Sequence, residues 1–272
     1  MKRILKTLGF GCVAGAVLAM PIGAVADEAE GSSSAEASLD VQVLSAYVWR
    51  GQLIGEDAVL QPQFTISKNG FSISWWGNLN LTDEATGHDG EFSEHDITVA
   101  YDLACPITGA DVQLGIVNYD FPNVTTETSL GNLSLVNDTR EAFITYALND
   151  VLLAPTLNLY YDFKEADGFY GSLGISHSIS LAETVSLDLA ASLGAASDDW
   201  GSFYFVEGTK GLTDGSVSAS LPIAICSSLT ITPAVSYSFL LDDAKDAVKA
   251  DSSLYFGETD YVVGSIQLSY AF

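Results

Sequence analysis

From Ser38 onward the dominant spacing of apolar residues is two, and helical spacing is almost absent. In the final segment Val262, Ile266, Leu268, Tyr270 and Phe272 share one face, while Val263, Ser265, Gln267, Ser269 and Ala271 share the other. Phe71, Ile73, Trp75, Leu79 and Leu81 oppose Ser72, Ser74, Trp76, Asn78 and Asn80 in the same way. The split recurs at 151–163, 168–181 and 228–240. Successive side chains of a strand point to opposite faces. The pattern therefore predicts strands near 38–50, 57–68, 71–82, 94–104, 111–119, 139–148, 151–163, 168–181, 184–195, 213–221, 228–240 and 261–272. These are about twelve strands, many of the roughly ten residues that a tilted strand needs to cross a bilayer.

The connections alternate in length. Lys68-Asn69-Gly70, the stretch 106–109, Asn149-Asp150, Ala182-Glu183 and the segment around Cys226 read as turns. Long polar loops are expected at 83–93, 120–138, 196–212 and 241–260. Short turns at one end and long loops at the other are the asymmetry of an outer-membrane up-and-down β-barrel, all-β and antiparallel. An even strand count places both termini in the periplasm. A soluble β-sandwich also shows period two, but its outer face would carry Lys, Glu and Thr. Here the polar face is mostly Ser, Asn, Thr and Gly, and Phe71, Phe163, Phe169, Phe239 and Phe272 near strand ends suit interfacial girdles. Pro62, Pro155 and Pro233 fall inside expected strands. Proline lacks a ladder donor, so a bulge or a shifted boundary is expected at Pro233.

The first 26 residues stand outside this pattern. Lys2, Arg3 and Lys6 precede an apolar Leu8–Met20 run and a small-residue Ala24-Val25-Ala26 site, the layout of a Sec signal peptide cleaved near Ala26. Residues 27–37 are acidic and Ser-rich and read as a flexible leader. The barrel is then expected over 38–272, in the outer membrane of a Gram-negative-type bacterium, in contact with lipid and lipopolysaccharide.

Charge changes the picture next. With 35 acidic and 10 basic residues the formal charge is −25, and three of the basic ones leave with the signal. Nucleic-acid binding needs clustered Lys and Arg and is excluded; a lumen in this chain favours cations. A chain so acidic yet 48% apolar fits a barrel that turns apolar residues to lipid and polar ones to a wet interior. With Tyr47 and Trp49 facing lipid, parity puts Arg50 in the lumen, and Asp96, Asp102, Glu141, Asp162 and Asp188 inward with it. Trp76, Tyr160 and Tyr170 also face inward. An Arg among carboxylates forms either a constriction that selects solutes or a plug of ion pairs. Twelve strands lie between side-chain-filled and open barrels and favour a narrow pore. The expected function is passive diffusion of small cationic or neutral solutes; the alternative is a non-conducting structural or adhesive barrel.

No cofactor is expected: the acidic loops Thr82–Glu94 and Asp242–Asp251 carry enough carboxylates to offer Ca²⁺ oxygen ligands, but without EF-hand spacing, and a solvated, repulsive surface accounts for them as well. An enzyme is not expected. An outer-membrane phospholipase needs His and Ser two apart on the lipid face, and no His-x-Ser occurs in the chain. A protease of the omptin kind would draw on Glu94, His95, Asp96, Asp198 and Asp199 at the rim, which a solvated acidic rim explains as well. Cys105 and Cys226 fall in turns half a barrel apart, too far for the roughly 7 Å that a disulfide allows.

Two resemblances follow from residues already named. Ile266, Leu268, Tyr270 and Phe272 resemble the C-terminal signature of outer-membrane proteins read by the barrel-assembly machinery. Tyr47-Val48-Trp49-Arg50-Gly51, Gln61-Pro62-Gln63, Gly70-Phe71, Trp75-Trp76-Gly77, Glu94-His95-Asp96 and Gly115 to Pro122 come in an order similar to the TorF family of porins. The similarity covers 45–122 and thins to general barrel character beyond, apart from 140–146. It implies an outer-membrane barrel and a pore, and says little about the solute.

Overall fold

The computed structural model describes residues 35–82, 89–105, 109–122 and 138–272; the expected signal peptide lies outside them. Its strands are β1 (Glu36–Leu44), β2 (Tyr47–Trp49), β3 (Gln52–Gly55), β4 (Val59–Lys68), β5 (Phe71–Asn80), β6 (Phe92–Leu103), β7 (Ala110–Asp120) and β8 (Asp138–Leu148). There follow β9 (Thr156–Asp162), β10 (Gly168–Ala182), β11 (Val185–Ala196), β12 (Gly211–Ser220), β13 (Ile223–Cys226), β14 (Leu229–Leu240) and β15 (Asp260–Ala271). Each wall strand pairs antiparallel with the next, and β1 pairs with β15 to close the ring. With β13 continuing β12, and β2 and β3 off the wall, the barrel has twelve staves.

The alternation read in the sequence is the alternation of the wall. Phe71, Ile73, Ile116, Phe169, Leu173, Val262 and Ile266 stand exposed on the outside. Ser74, Thr98, Gln113, Thr145, Asn158, Ser172 and Ser236 are buried on the inside. An apolar exterior that runs around the whole ring is a surface for hydrocarbon rather than water, so the wall is a transmembrane one. No helix among the described residues is long and apolar enough to cross a membrane.

Several expectations are corrected by the structure. The first stave ends at Leu44 instead of continuing to residue 50. The chain turns into the lumen and pairs β2 with β3 as a separate hairpin. Its tip is Arg50-Gly51, with φ of 48° and 78°; consecutive left-handed residues reverse a chain tightly. Tyr47 and Trp49 are therefore buried inside and do not face lipid. The expected strand 151–163 begins only at Thr156, because Leu153 and Ala154 adopt φ of 64° and 35°. The segment around Cys226, expected as a turn, carries β13.

The expected loops 196–212 and 241–260 fold as α1 (Asp198–Tyr204) and α2 (Asp242–Ala250). The Ser197 hydroxyl caps α1 by accepting from the Trp200 amide, with Asp198 and Asp199 in the first turn. The Asp242–Asp251 stretch thus presents an amphipathic helix that buries Ala244, Ala247 and Val248 in place of the expected open loop. No group of three or more metal-ligating side chains gathers among the described residues. Residues 83–88 of the other acidic loop lie outside them.

Pro62 and Pro233 sit where a missing N–H is tolerated. The β4–β5 ladder skips Gln61 and Pro62. Pro233 lies within β14, opposite the break between β12 and β13, where its carbonyl accepts from Leu221 N at 2.9 Å. Cys105 and Cys226 are both free thiols.

Candidate functional site

The lumen has two storeys. Toward the short turns it is lined by hydroxyls and amides, among them Gln113, which donates to Asp102 at 2.8 Å, and Ser178, which donates to Asp188 at 2.5 Å. Toward the loops it is filled by the β2–β3 hairpin, α1 and α2, whose buried residues form one apolar cluster with Trp76, Tyr160 and Tyr170 of the wall.

Arg50 sits at the centre of this upper storey, 2% exposed. Its two terminal nitrogens donate to the two oxygens of Glu141 at 2.7 and 2.6 Å, the fork-to-fork geometry that only a guanidinium makes. Tyr119 donates to the same carboxylate at 2.9 Å. Four rings surround the guanidinium carbon, with centroids 4.3 Å away for Trp49, 4.5 Å for Tyr160, 4.2 Å for Tyr170 and 5.3 Å for Trp200. Cation–π contacts of this kind gain strength when water is excluded, reaching about 2 kcal/mol or more.

Four further carboxylates are buried nearby. Glu94 accepts from Tyr47 at 2.9 Å. Asp96 lies two residues on along the same inner face, with one oxygen unpartnered. Asp162 accepts from Thr139 at 2.8 Å and from Tyr204 at 3.5 Å. Asp214 accepts from Tyr170 at 3.1 Å and from Thr213 at 2.9 Å. Among the described residues Arg50 is the one buried basic side chain. Burial, reinforced by Glu94 and Asp96, holds the Tyr47 phenol well above its ordinary range. Burial, with Glu141 and Asp162, does the same for Tyr204. Both phenols stay neutral donors.

Of the residues singled out from sequence, Arg50, Trp76, Asp96, Glu141, Tyr160, Tyr170 and Asp162 are all buried within the lumen at this level. Asp102 and Asp188 lie in the lower storey instead, each held by a neighbouring side chain. The rim group Glu94, His95 and Asp96 is divided by the wall: the carboxylates point in, while His95 stacks outside against Trp75 and Phe92. Parity of β12 alone places Asp214 beside Ser216 on the inner face. Trp200 and Tyr204, four apart behind a Ser-Asp-Asp start, carried a helical signal.

A closed antiparallel ring with an apolar exterior and an inward-folded hairpin defines a transmembrane β-barrel with an internal closure. The chain belongs to the family described as "Bacterial protein of unknown function (Gcw_chp)", whose model matches residues 28–219. No curated protein matches it. Among solved structures it is similar to the KdgM porin in complex with disordered oligogalacturonate, at 10% identity and a TM-score of 0.48, over 87% of this chain and 99% of that one. The NanC porin aligns at 12% identity and a TM-score of 0.48, over 85% and 98%. The COG4313 outer membrane channel from Pseudomonas putida F1 aligns at 6% identity and a TM-score of 0.49, over 90% and 97%.

Proposed function

We propose that the protein is an outer-membrane channel for passive diffusion of small neutral or cationic solutes, closed at its loop end in the state described here. The observation that carries this reading is the division of the lumen. A barrel meant only as a scaffold has no need of a polar lower storey whose inward side chains include Ser74, Thr98, Gln113, Thr145 and Asn158 beside Asp102 and Asp188. The closure above it is built from loop segments, not from the wall, and rests on the Arg50–Glu141 pair. Five buried carboxylates around one guanidinium give the passage more acidic than basic groups, and that imbalance is what supports a cation preference. The similarity of residues 45–122 to the TorF porins, within the matched family range, supports a pore and says little of its solute.

The completeness of the closure favours a second reading, a non-conducting structural or adhesive barrel: Gln52, beside the hairpin tip, is 0% exposed. Planar-bilayer recording of the refolded chain separates the two. The channel reading expects discrete openings with a cation-selective reversal potential. A silent bilayer would retire the channel, and an anion-selective potential would retire the charge argument.

Export and assembly are proposed on the C-terminal stave. Tyr270 and Phe272 pack edge-on, ring centroids 4.9 Å apart, at the exposed end of β15. Deleting Phe272 is expected to lower the outer-membrane yield several-fold while leaving in vitro refolding into detergent nearly unchanged. Equal loss in both measurements would assign Phe272 to stability and not to recognition by the assembly machinery.

A further inference from the structure

The guanidinium of Arg50 is held as a ligand is held. It is not part of the wall; it arrives on a hairpin tip, and the groups that receive it belong to other elements. Tyr119 comes from β7, Glu141 from β8, Tyr160 from β9, Tyr170 from β10 and Trp200 from α1. Glu141 presents both oxygens at the spacing of a planar fork, positioned by Tyr119. Tyr160 and Tyr170 lie side by side, centroids 6.3 Å apart, and Tyr170 and Trp200 at 5.1 Å. If the hairpin withdraws, Trp49 leaves with it, but three rings and the carboxylate remain. The receiving groups are then an aromatic cage with a counter-ion at its back, the recurring way in which proteins bind organic cations. The fork geometry selects a guanidinium over an ammonium, which matches a carboxylate at one point only. The Arg50 Nε, the nitrogen that carries the alkyl chain, has no hydrogen-bond partner, so the polar contacts run through the two terminal nitrogens, which a monoalkylguanidinium presents as well.

We propose that Glu141 with Tyr160, Tyr170 and Trp200 forms a binding site for guanidinium-bearing organic cations, which the chain's own Arg50 occupies in the closed state. This names a solute class for the channel proposed above and rests on that reading only for its physiological meaning. The binding itself is independent of conduction.

The test is chemical rescue. Arg50→Ala vacates the cage, and the refolded variant in detergent is titrated with methylguanidinium, with urea as its planar neutral counterpart and with sodium at equal ionic strength. A saturable rise in melting temperature is expected with methylguanidinium alone, at concentrations about tenfold lower than any response of the wild type, which must first surrender its own side chain. Adding Glu141→Gln to the variant should abolish the rise. Should Arg50→Ala not refold unaided, the readout becomes its refolding yield, which methylguanidinium should recover and sodium should not. A variant that responds no more than the wild type, responds equally to urea, or shows no recovered yield overturns the site. A barrel that binds but never conducts loses the channel reading and keeps this one; one that conducts but binds nothing does the reverse.

Discussion

Arg50→Ala and Glu141→Ala will each cost the barrel about 3–5 kcal/mol of stability, and the double substitution will cost far less than their sum. Both side chains are buried, at 1% and 0% exposed. Removing either leaves a charge without its partner in a space that admits little water. The loss is then dominated by the stranded charge, not by the missing hydrogen bonds. Removing both spares that penalty, so Arg50→Met with Glu141→Leu should lie near the wild type. A double-mutant cycle of urea unfolding in detergent micelles measures the coupling. Additive single and double values would show that the pair is solvated in solution. In bilayers Arg50→Ala should also open more often and select cations more strongly, since it removes the positive charge of the site and the clasp of the closure together. An unchanged reversal potential would place Arg50 away from the conducting path.

Gly168→Ala should dislodge α1 from the lumen. Gly168 starts β10 inside the barrel mouth, and a methyl group there would meet the backbone of Trp200, lying 2.8 Å from its Cα. Backbone cannot rotate away as a side chain can, so the helix must rise or the strand must bend. Overpacking of this kind costs about 1–3 kcal/mol. The same shift lifts Trp200 from its contacts with Trp49 at 5.8 Å and Tyr170 at 5.1 Å. Increased single-channel open time together with altered tryptophan emission is the expected pair of results. Altered emission without a change in open time would mean that α1 is ornamental to the closure and the hairpin alone blocks the path.

The wall was legible because a membrane barrel imposes one rule on every stave. Period two fixes the face of each residue, so the inward placement of Asp96, Asp162 and Tyr170 followed from parity alone. The closure was not legible by the same rule. Tyr47 and Trp49 have the parity of lipid-facing residues, and lipid and a packed lumen both ask for apolar side chains. The telling sign was Ala46-Tyr47-Val48-Trp49, four apolar residues in succession, where alternation lapses because the segment is buried on both faces. Arg50-Gly51 then marks the reversal. In α2, Ala244, Ala247 and Val248 carry a helical spacing that a reading tuned to strands passes over within an acidic stretch.

The hairpin hangs between β1 and β4, directly beside the seam where β1 meets β15. That seam joins residues as distant in the chain as Gln42 and Ser265, 223 positions apart; contacts of such separation are among the slowest to form. Whatever is to lie inside the ring has its readiest entrance before the two edges zip together. A molecule that closed with the hairpin outside would have the same wall, the same lipid face and the same register, yet an open bore. For the channel proposed here, the order in which the hairpin enters and the seam closes would then set whether a newly made barrel is sealed.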